Sequence, residues 1–216
     1  MKRFRSIFMI LCVVLLVSGC SLLQNKMPSD VDFKTGVHEL QVSILPGTPP
    51  QTVYPHSHFK MLVQLDNQAA YDVTNGKMSI VGLDPYYIQI TPVEQDVDPL
   101  EGRIVTSPAG GRDLKEFDGE VLSVGDASSY DAHFFIQTQY LSKMEYAETV
   151  CLNPSAYDIY DGGCSVKSQI TYRGQGAPLA VAAMEEIVSP GDRAEVEFRF
   201  TLKNTGSGII DFVNLE

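Results

Sequence analysis

The clearest pattern along the chain is an alternation of apolar and polar residues with a period of two, which predicts β-strands. The longest such run places Phe59, Met61, Val63 and Leu65 on one side and ends at Asp66-Asn67. Shorter runs of the same kind occur at 40–44, 78–80, 88–90, 134–140 and 166–172. Turn residues separate the runs at the spacing that is typical of a β-sandwich.

Helical patterns are weak throughout the chain. No stretch of 12 residues keeps a clean 3.6-residue period with a cap at each end. The nearest candidate is the Ala-rich segment 177–188, but Pro178 stands near its start and Leu179-Ala180-Val181 suits a strand equally well. The pattern therefore predicts an all-β fold.

One apolar run occurs twice. Residues 59–67 have the pattern Phe-x-Met-x-Val-x-Leu-x-Asn, and residues 196–204 have the pattern Val-x-Phe-x-Phe-x-Leu-x-Asn. The aligned Asn67 and Asn204 are 137 positions apart. We expect each copy to be a strand that ends where the Asn side chain hydrogen-bonds to the backbone of a turn. Two copies at this distance indicate two similar domains.

This unit of strand, Asn, small residue and second strand resembles the first hairpin-like unit of CARDB-like and related immunoglobulin-like modules in archaeal and bacterial surface proteins. The likeness spans about 20 residues of each copy, and the first copy departs from it at Ala69-Ala70, where the family favours Gly. The resemblance implies an immunoglobulin-like β-sandwich that serves as a spacer, an adhesive module or a subunit of a surface assembly.

Two units follow from these patterns. Residues 36–173 are expected to form an immunoglobulin-like β-sandwich, and residues 174–216 the start of a second, similar unit. The second segment is too short for a sandwich of about seven strands. Three interpretations stay open: the sequence is a fragment of a longer reading frame, the last strands pack on the first domain, or another chain completes them by strand addition.

The N-terminal residues have the pattern of a signal peptide. A basic start (Lys2, Arg3, Arg5) precedes the apolar segment 7–17, whose 11 residues are too few to span a bilayer. The following Leu16-Val17-Ser18-Gly19-Cys20 resembles the lipobox of prokaryotic lipoproteins. The alternatives are ordinary secretory cleavage and an uncleaved signal anchor.

The lipobox resemblance implies a covalent lipid anchor. It implies that residues 1–19 are removed and that Cys20 carries the lipid, with residues 20–35 as a polar tether. We therefore expect the protein at the extracytoplasmic side of the cell membrane, with the membrane as a partner through this anchor.

Charge narrows the possible partners. The chain has 16 basic and 27 acidic residues, a net charge of −11, and loss of residues 1–19 would make it −14. Nucleic acid is excluded as a partner, because phosphate binding needs a concentrated basic surface. An anionic lipid surface should repel a strongly anionic chain. A tether would keep the folded part of the chain away from that surface.

Cysteine use also favours export. If Cys12 leaves with the signal peptide and Cys20 carries the lipid, Cys151 and Cys164 remain. In an extracytoplasmic chain, two cysteines 13 positions apart predict a local disulfide. A metal site is the weaker interpretation, because the sequence has no CxxC and no His near either Cys.

Catalytic motifs are missing from the sequence. It contains no GxSxG, no HExxH, no P-loop and no GxGxxG that opens a helix, so we expect no enzyme and no cofactor. His56 and His58 would share one side of a strand and are the weak candidates for a metal site. A third ligand, His38 or His133, would have to reach them by folding.

Acidic residues gather in three segments that we expect to be loops. They are Asp113, Glu116 and Asp118, then Asp126 and Asp131, then Asp158 and Asp161. Calcium binds such carboxylates, but no segment has the spacing of a dedicated calcium loop, so solvated surface charge is the expected role.

The sequence as a whole favours a non-catalytic, lipid-anchored surface module that is structural or adhesive. Its possible partners are a second copy, other surface proteins or polysaccharide. The alternative function is an extracytoplasmic lipoprotein that binds a sugar, a peptide or a metal ion on its loops, where several of the ten Tyr residues stand.

Overall fold

A computed structural model describes residues 32–125, 129–152, 167–189 and 195–216. This part of the chain contains ten strands and no helix, so the prediction of an all-β fold is confirmed. The strands are β1 Leu40–Ile44, β2 His58–Asn67, β3 Val73–Val81, β4 Ile88–Thr91, β5 Glu94–Val97, β6 Arg112–Val121, β7 Phe135–Ser142, β8 Gln169–Thr171, β9 Leu179–Ser189 and β10 Glu195–Asn204.

Two antiparallel sheets share one buried core. The first has the order β1-β2-β6-β4 and the second the order β5-β3-β7. A single cluster of buried side chains draws on strands of both sheets. Its members are Leu40, Met61, Val63, Leu65, Val73, Met78, Ile80, Ile90, Val97, Leu100 and Phe117. Since both sheets bury one face against the other, this part of the chain is a β-sandwich. The immunoglobulin-like connectivity stays a prediction.

The central strand β2 follows the alternation that its sequence predicts. Met61, Val63 and Leu65 are at most 1% exposed, while the side chains between them are only partly buried. Strand β6 pairs antiparallel with β2 and sets the buried Phe117 opposite Met61. Farther along, Gly119 lies opposite Phe59, and a Cβ at position 119 would lie 2.2 Å from Cζ of that ring. The ring of Phe59 therefore occupies the space that a larger residue would need.

Strand β6 corrects one sequence-based expectation. Asp113, Glu116 and Asp118 were expected in a loop, but all three lie on this strand. The prediction was wrong because the inward positions of β6 include Lys115 and Gly119, which hide the period of two. Lys115 Nζ lies 2.8 Å from Asp113 Oδ2, and both side chains are largely buried. The carboxylate at position 113 thus has a cation of its own chain beside it.

A third sheet, with the order β10-β9-β8, contains the segment that was the nearest candidate for a helix. That segment forms β9, so the strand interpretation of Leu179-Ala180-Val181 is confirmed. Strand β8 precedes the expected boundary at 173/174 and pairs with β9, which follows it. The division into two domains stays a prediction.

The segment between β8 and β9 contacts the sandwich through backbone hydrogen bonds. Gly176 donates its N–H to the carbonyl of Gly36 at 2.9 Å and accepts the N–H of Ala70 at 2.8 Å. Its φ is +73°, and a Cβ there would lie 2.2 Å from the carbonyl oxygen of Phe33. Only glycine combines this backbone conformation with so close a contact. The third sheet is thereby held beside the sandwich within one compact unit, Asp32–Glu216.

Candidate interaction surface

The strand β2 ends in a turn that its last residue organises. The side chain of Asn67 is fully buried, and its Oδ1 accepts the N–H of Ala69 at 3.0 Å. Its Nδ2 donates to the carbonyl of Tyr71 at 2.9 Å and reaches the carbonyls of Leu100 at 3.0 Å and Glu101 at 3.1 Å. The expected use of the Asn side chain to hydrogen-bond turn backbone is confirmed.

The second copy repeats this turn at the end of β10. Asn204 Oδ1 accepts the N–H of Gly206 at 3.1 Å, and Nδ2 donates to the carbonyl of Gly208 at 2.8 Å. The donor and acceptor positions, two and four residues after the Asn, are the same as in the first copy. The preceding strands also correspond, because Leu40 of β1 pairs with Asn67 and Leu179 of β9 pairs with Asn204.

The two copies differ in what covers them. Strand β2 lies between β1 and β6, whereas β10 is the outermost strand of its sheet in the described residues. Val63 and Leu65 of β2 are 0% exposed, but their counterparts Phe200 and Leu202 are 51% and 37% exposed. The same strand pattern is therefore buried in one copy and left at an open sheet edge in the other.

One contact partly covers the apolar face of β10. The ring of Tyr146 meets the ring of Phe200 edge to face, with 5.8 Å between the ring centroids. The hydroxyl groups of Tyr146 and Tyr172 also hydrogen-bond to each other, and burial raises the pKa of Tyr172. This aromatic group holds Phe200 in place while half of its surface stays exposed.

Charge along β10 is ordered. Glu195 and Glu197 lie in the first half of the strand, and Arg199 and Lys203 lie in the second. Arg199 Nε donates to Glu197 Oε1 at 2.8 Å, which raises the pKa of Arg199. The backbone donors and acceptors along the outer side of the strand, with this charge order, form the surface that we call the β10 edge.

A cleft of about 330 Å³ lies beside the third sheet. Glu148, Thr149, Val150, Cys151, Lys167, Ile170 and Glu186 line it. Glu186 of β9 is 6% exposed, and its Oε1 has no hydrogen-bond partner among the described residues. Sequence reasoning missed this residue; its signal is an acidic side chain within the apolar run 179–188.

The structure does not place the two weak metal-site candidates, His56 and His58, on one side of a strand. His56 has a φ of +59° in the turn before β2, so it does not continue the strand that begins at His58. Both side chains are exposed, as is that of His133, and His38 is half-buried. Within residues 32–125, 129–152, 167–189 and 195–216, no three or more His, Cys, Asp or Glu side chains are grouped to hold a metal ion.

Several predicted features lie outside the described residues: residues 1–19, Cys20, Asp126, Asp158, Asp161 and Cys164. The lipid anchor therefore stays a prediction. The disulfide also stays one, since of its two cysteines only Cys151 is described, half-buried beside the cleft. In the part of the chain that is described, no helix is long and apolar enough to cross a membrane.

Comparison with known proteins gives no relative from which a role of the β10 edge could be inferred. No protein-family model matches the chain, and neither a curated protein nor a solved structure matches it. The resemblance to CARDB-like modules accordingly rests on the residues of the two copies alone.

Proposed function

We propose that this protein is a non-catalytic surface module, anchored to the membrane by lipid on Cys20, that makes structural or adhesive contacts by strand addition at the β10 edge. The observation that carries the proposal is the difference in burial between β2 and β10. In the first copy, the outer side of β2 is paired along its length with β6. Among the described residues, no strand pairs with the equivalent side of β10, which offers its backbone groups beside half-exposed Phe200.

An open edge of this kind favours a binding role. Unpaired N–H and C=O groups form a template for another strand, and proteins that do not use such an edge usually shorten it, shield it or place charges on it. Strand β10 has ten residues and alternates Phe198, Phe200 and Leu202 with polar residues. Backbone hydrogen bonds would supply the affinity of an added strand, and contacts with the apolar side chains would supply its specificity.

The β6 segment supplies the probe for this function. A synthetic peptide with the sequence of Arg112–Val121 should add to β10, because the same segment pairs with the equivalent strand β2. We expect the peptide to bind the full chain in detergent, measured by isothermal titration calorimetry, and a scrambled peptide to fail. Phe200→Lys should weaken binding about tenfold or more, whereas Phe212→Lys, at an exposed position outside the strands, should not. Equal binding of both peptides would refute the proposal.

The anchor is tested separately. Expressed in a bacterial host with its own N-terminal residues, the chain should fractionate with membranes and carry a lipid adduct on Cys20 in mass spectrometry. Cys20→Ser should leave the chain without the adduct and shift it out of the membrane fraction; Cys12→Ser is the matched control and should change neither. A Cys20→Ser chain that stays in membranes would favour the uncleaved signal anchor.

A second candidate function rests on the cleft at Glu186. A buried carboxylate oxygen without a donor is unfavourable, by about 1–3 kcal/mol or more, and a ligand N–H or O–H would relieve this cost. A small ligand with such donors is therefore the alternative, in keeping with a binding lipoprotein. Glu186→Gln should abolish binding of any ligand found by screening, whereas the exposed Glu145→Gln should leave it unchanged.

A further inference from the structure

We propose that the β10 edge binds a second copy of this chain, with the two β10 strands antiparallel and Phe200 at the two-fold axis. The inference rests on the proposed function and names its partner. Pairing of this kind would join two three-stranded sheets into one six-stranded sheet, in the order β8-β9-β10 of one copy followed by β10-β9-β8 of the other. The contact is closed, because each copy uses the same strand.

The charge order of β10 favours an antiparallel partner identical to itself. The acidic residues Glu195 and Glu197 precede the basic residues Arg199 and Lys203 along the strand. An antiparallel second copy places its basic half opposite the acidic half of the first. A parallel copy in register would place every charge opposite its own sign, which is unfavourable.

The side chains suit a register that pairs residues 196–204 of each β10 strand. With Phe200 on the axis, Glu197 lies opposite Lys203 of the second copy, and Phe198 lies opposite Leu202 of the second copy. Directly opposite residues of an antiparallel pair point to the same face, so the apolar residues meet on one face and the charges on the other. Two Glu–Lys pairs form, one on each side of the axis.

Other registers of the two β10 strands are less favourable. An axis at Phe198 also brings opposite charges together, but it pairs only residues 195–201. An axis at Arg199 would place that residue opposite itself, and an axis at Thr201 would place Arg199 opposite Lys203. Both arrangements bring like charges together. An axis midway between two residues would pair Phe200 with a polar residue of the second copy. The apolar side chains of the two copies would then lie on opposite faces of the sheet, because side chains alternate along a strand.

Two features of the structure suit this contact. Phe200 and Leu202 are 51% and 37% exposed, so a second sheet beside β10 would cover apolar surface that is now in water. The bulge of this sheet, between Thr201 and Leu202, adds its extra residue to β9 and not to β10. Strand β10 therefore presents a regular outer edge along the length that the proposed register uses.

The test is a charge exchange across the interface. The dimer dissociation constant of the full chain in detergent is measured by analytical ultracentrifugation at low ionic strength. Glu197→Lys and Lys203→Glu should each raise it about tenfold, because each change alters two symmetric pairs. The double variant restores opposite charges and should return the constant to within about threefold of the original. Circular dichroism checks that all variants fold.

A second measurement fixes the axis. Phe200→Cys should form a disulfide-linked dimer on mild oxidation, because a residue on the axis faces its own copy at a distance that a disulfide spans. Thr201→Cys is the matched control and should not cross-link, since it faces position 199 of the second copy. Cross-linking of the control alone, or of both variants equally, would overturn the proposed register.

The outcomes separate this inference from the proposed function. If the charge-exchanged double variant stays as weak as the single variants, or the chain is monomeric at all concentrations, the inference is wrong. Binding of the β6 peptide in that case would still support strand addition by another partner. If neither a second copy nor the peptide binds, the proposed function is wrong as well.

Discussion

Replacement of Asn67 by Ala should destabilise the protein far more than the same change at Asn204. The two side chains make equivalent hydrogen bonds to positions two and four residues later, and Asn67 also reaches the carbonyls of Leu100 and Glu101. They differ in burial, because Asn67 is 0% exposed and Asn204 is exposed. The pair therefore separates the effect of burial from that of the hydrogen bonds themselves.

The magnitude follows from which backbone groups lose a partner. The carbonyls of Leu100 and Glu101 each accept a second, backbone N–H, from Val73 and Gly111. The loss therefore falls mainly on the Tyr71 carbonyl and the Ala69 N–H. An unsatisfied buried polar group costs about 1–3 kcal/mol, so we expect Asn67→Ala to lower the free energy of unfolding by about 3–4 kcal/mol.

Asn204→Ala should cost about 1 kcal/mol or less, because water can replace the lost hydrogen bonds. Since the chain has no Trp, unfolding in urea is best followed by far-UV circular dichroism. With a slope of about 2 kcal/mol per molar urea, Asn67→Ala should lower the midpoint of unfolding by about 1.5–2 M urea. Equal shifts for the two variants would refute the argument that burial sets the cost.

Two further predictions concern packing and pH. Gly119→Ala should lower the free energy of unfolding by about 1–3 kcal/mol, because its Cβ would overlap the ring of Phe59. Gly208→Ala is the control and should change the free energy of unfolding little, since nothing lies within 4 Å of its Cβ. Equal effects of the two variants in urea titrations would contradict this prediction. Hydrogen bonds from Lys143, the larger cause, and from Lys34 lower the pKa of Glu145 from 4.5 to about 2. The contribution of these ion pairs to the free energy of unfolding is therefore present above pH 4.5 and is lost as the pH falls toward 2. Lys143→Ala should raise the pKa of Glu145 in a carboxyl NMR titration, and an unchanged value would contradict the assignment.

Strands with a clean alternation were predictable from the sequence alone. The runs around Met61, Met78 and Ile90 each form a strand whose apolar side faces the core. Strand β6 was not predicted, because it alternates a core residue, Phe117, with charged residues and uses Gly119 as an inward position. Strand β6 is nevertheless extended because its backbone pairs with β2, a contact that its own sequence pattern does not reveal.

The turns at the two Asn residues were also predictable, since a side chain that hydrogen-bonds to nearby backbone acts within a few residues of the sequence. The candidate site was predictable only in part. The apolar pattern of β10 predicts a strand, but a period of two states which residues share a face and not what lies against that face. Whether Phe200 is buried depends on segments far away in the sequence.

The sequence by itself determined the all-β class, the positions of most strands and the likeness of the two copies, because these follow from local periodicity and turn chemistry. The tertiary structure decided that β2 lies between β1 and β6 while β10 is left at a sheet edge, and that Glu186 lies buried beside a cleft. The physical reason is that burial and strand pairing depend on contacts between residues distant in sequence. Similar local patterns can therefore end in a core or at an open edge.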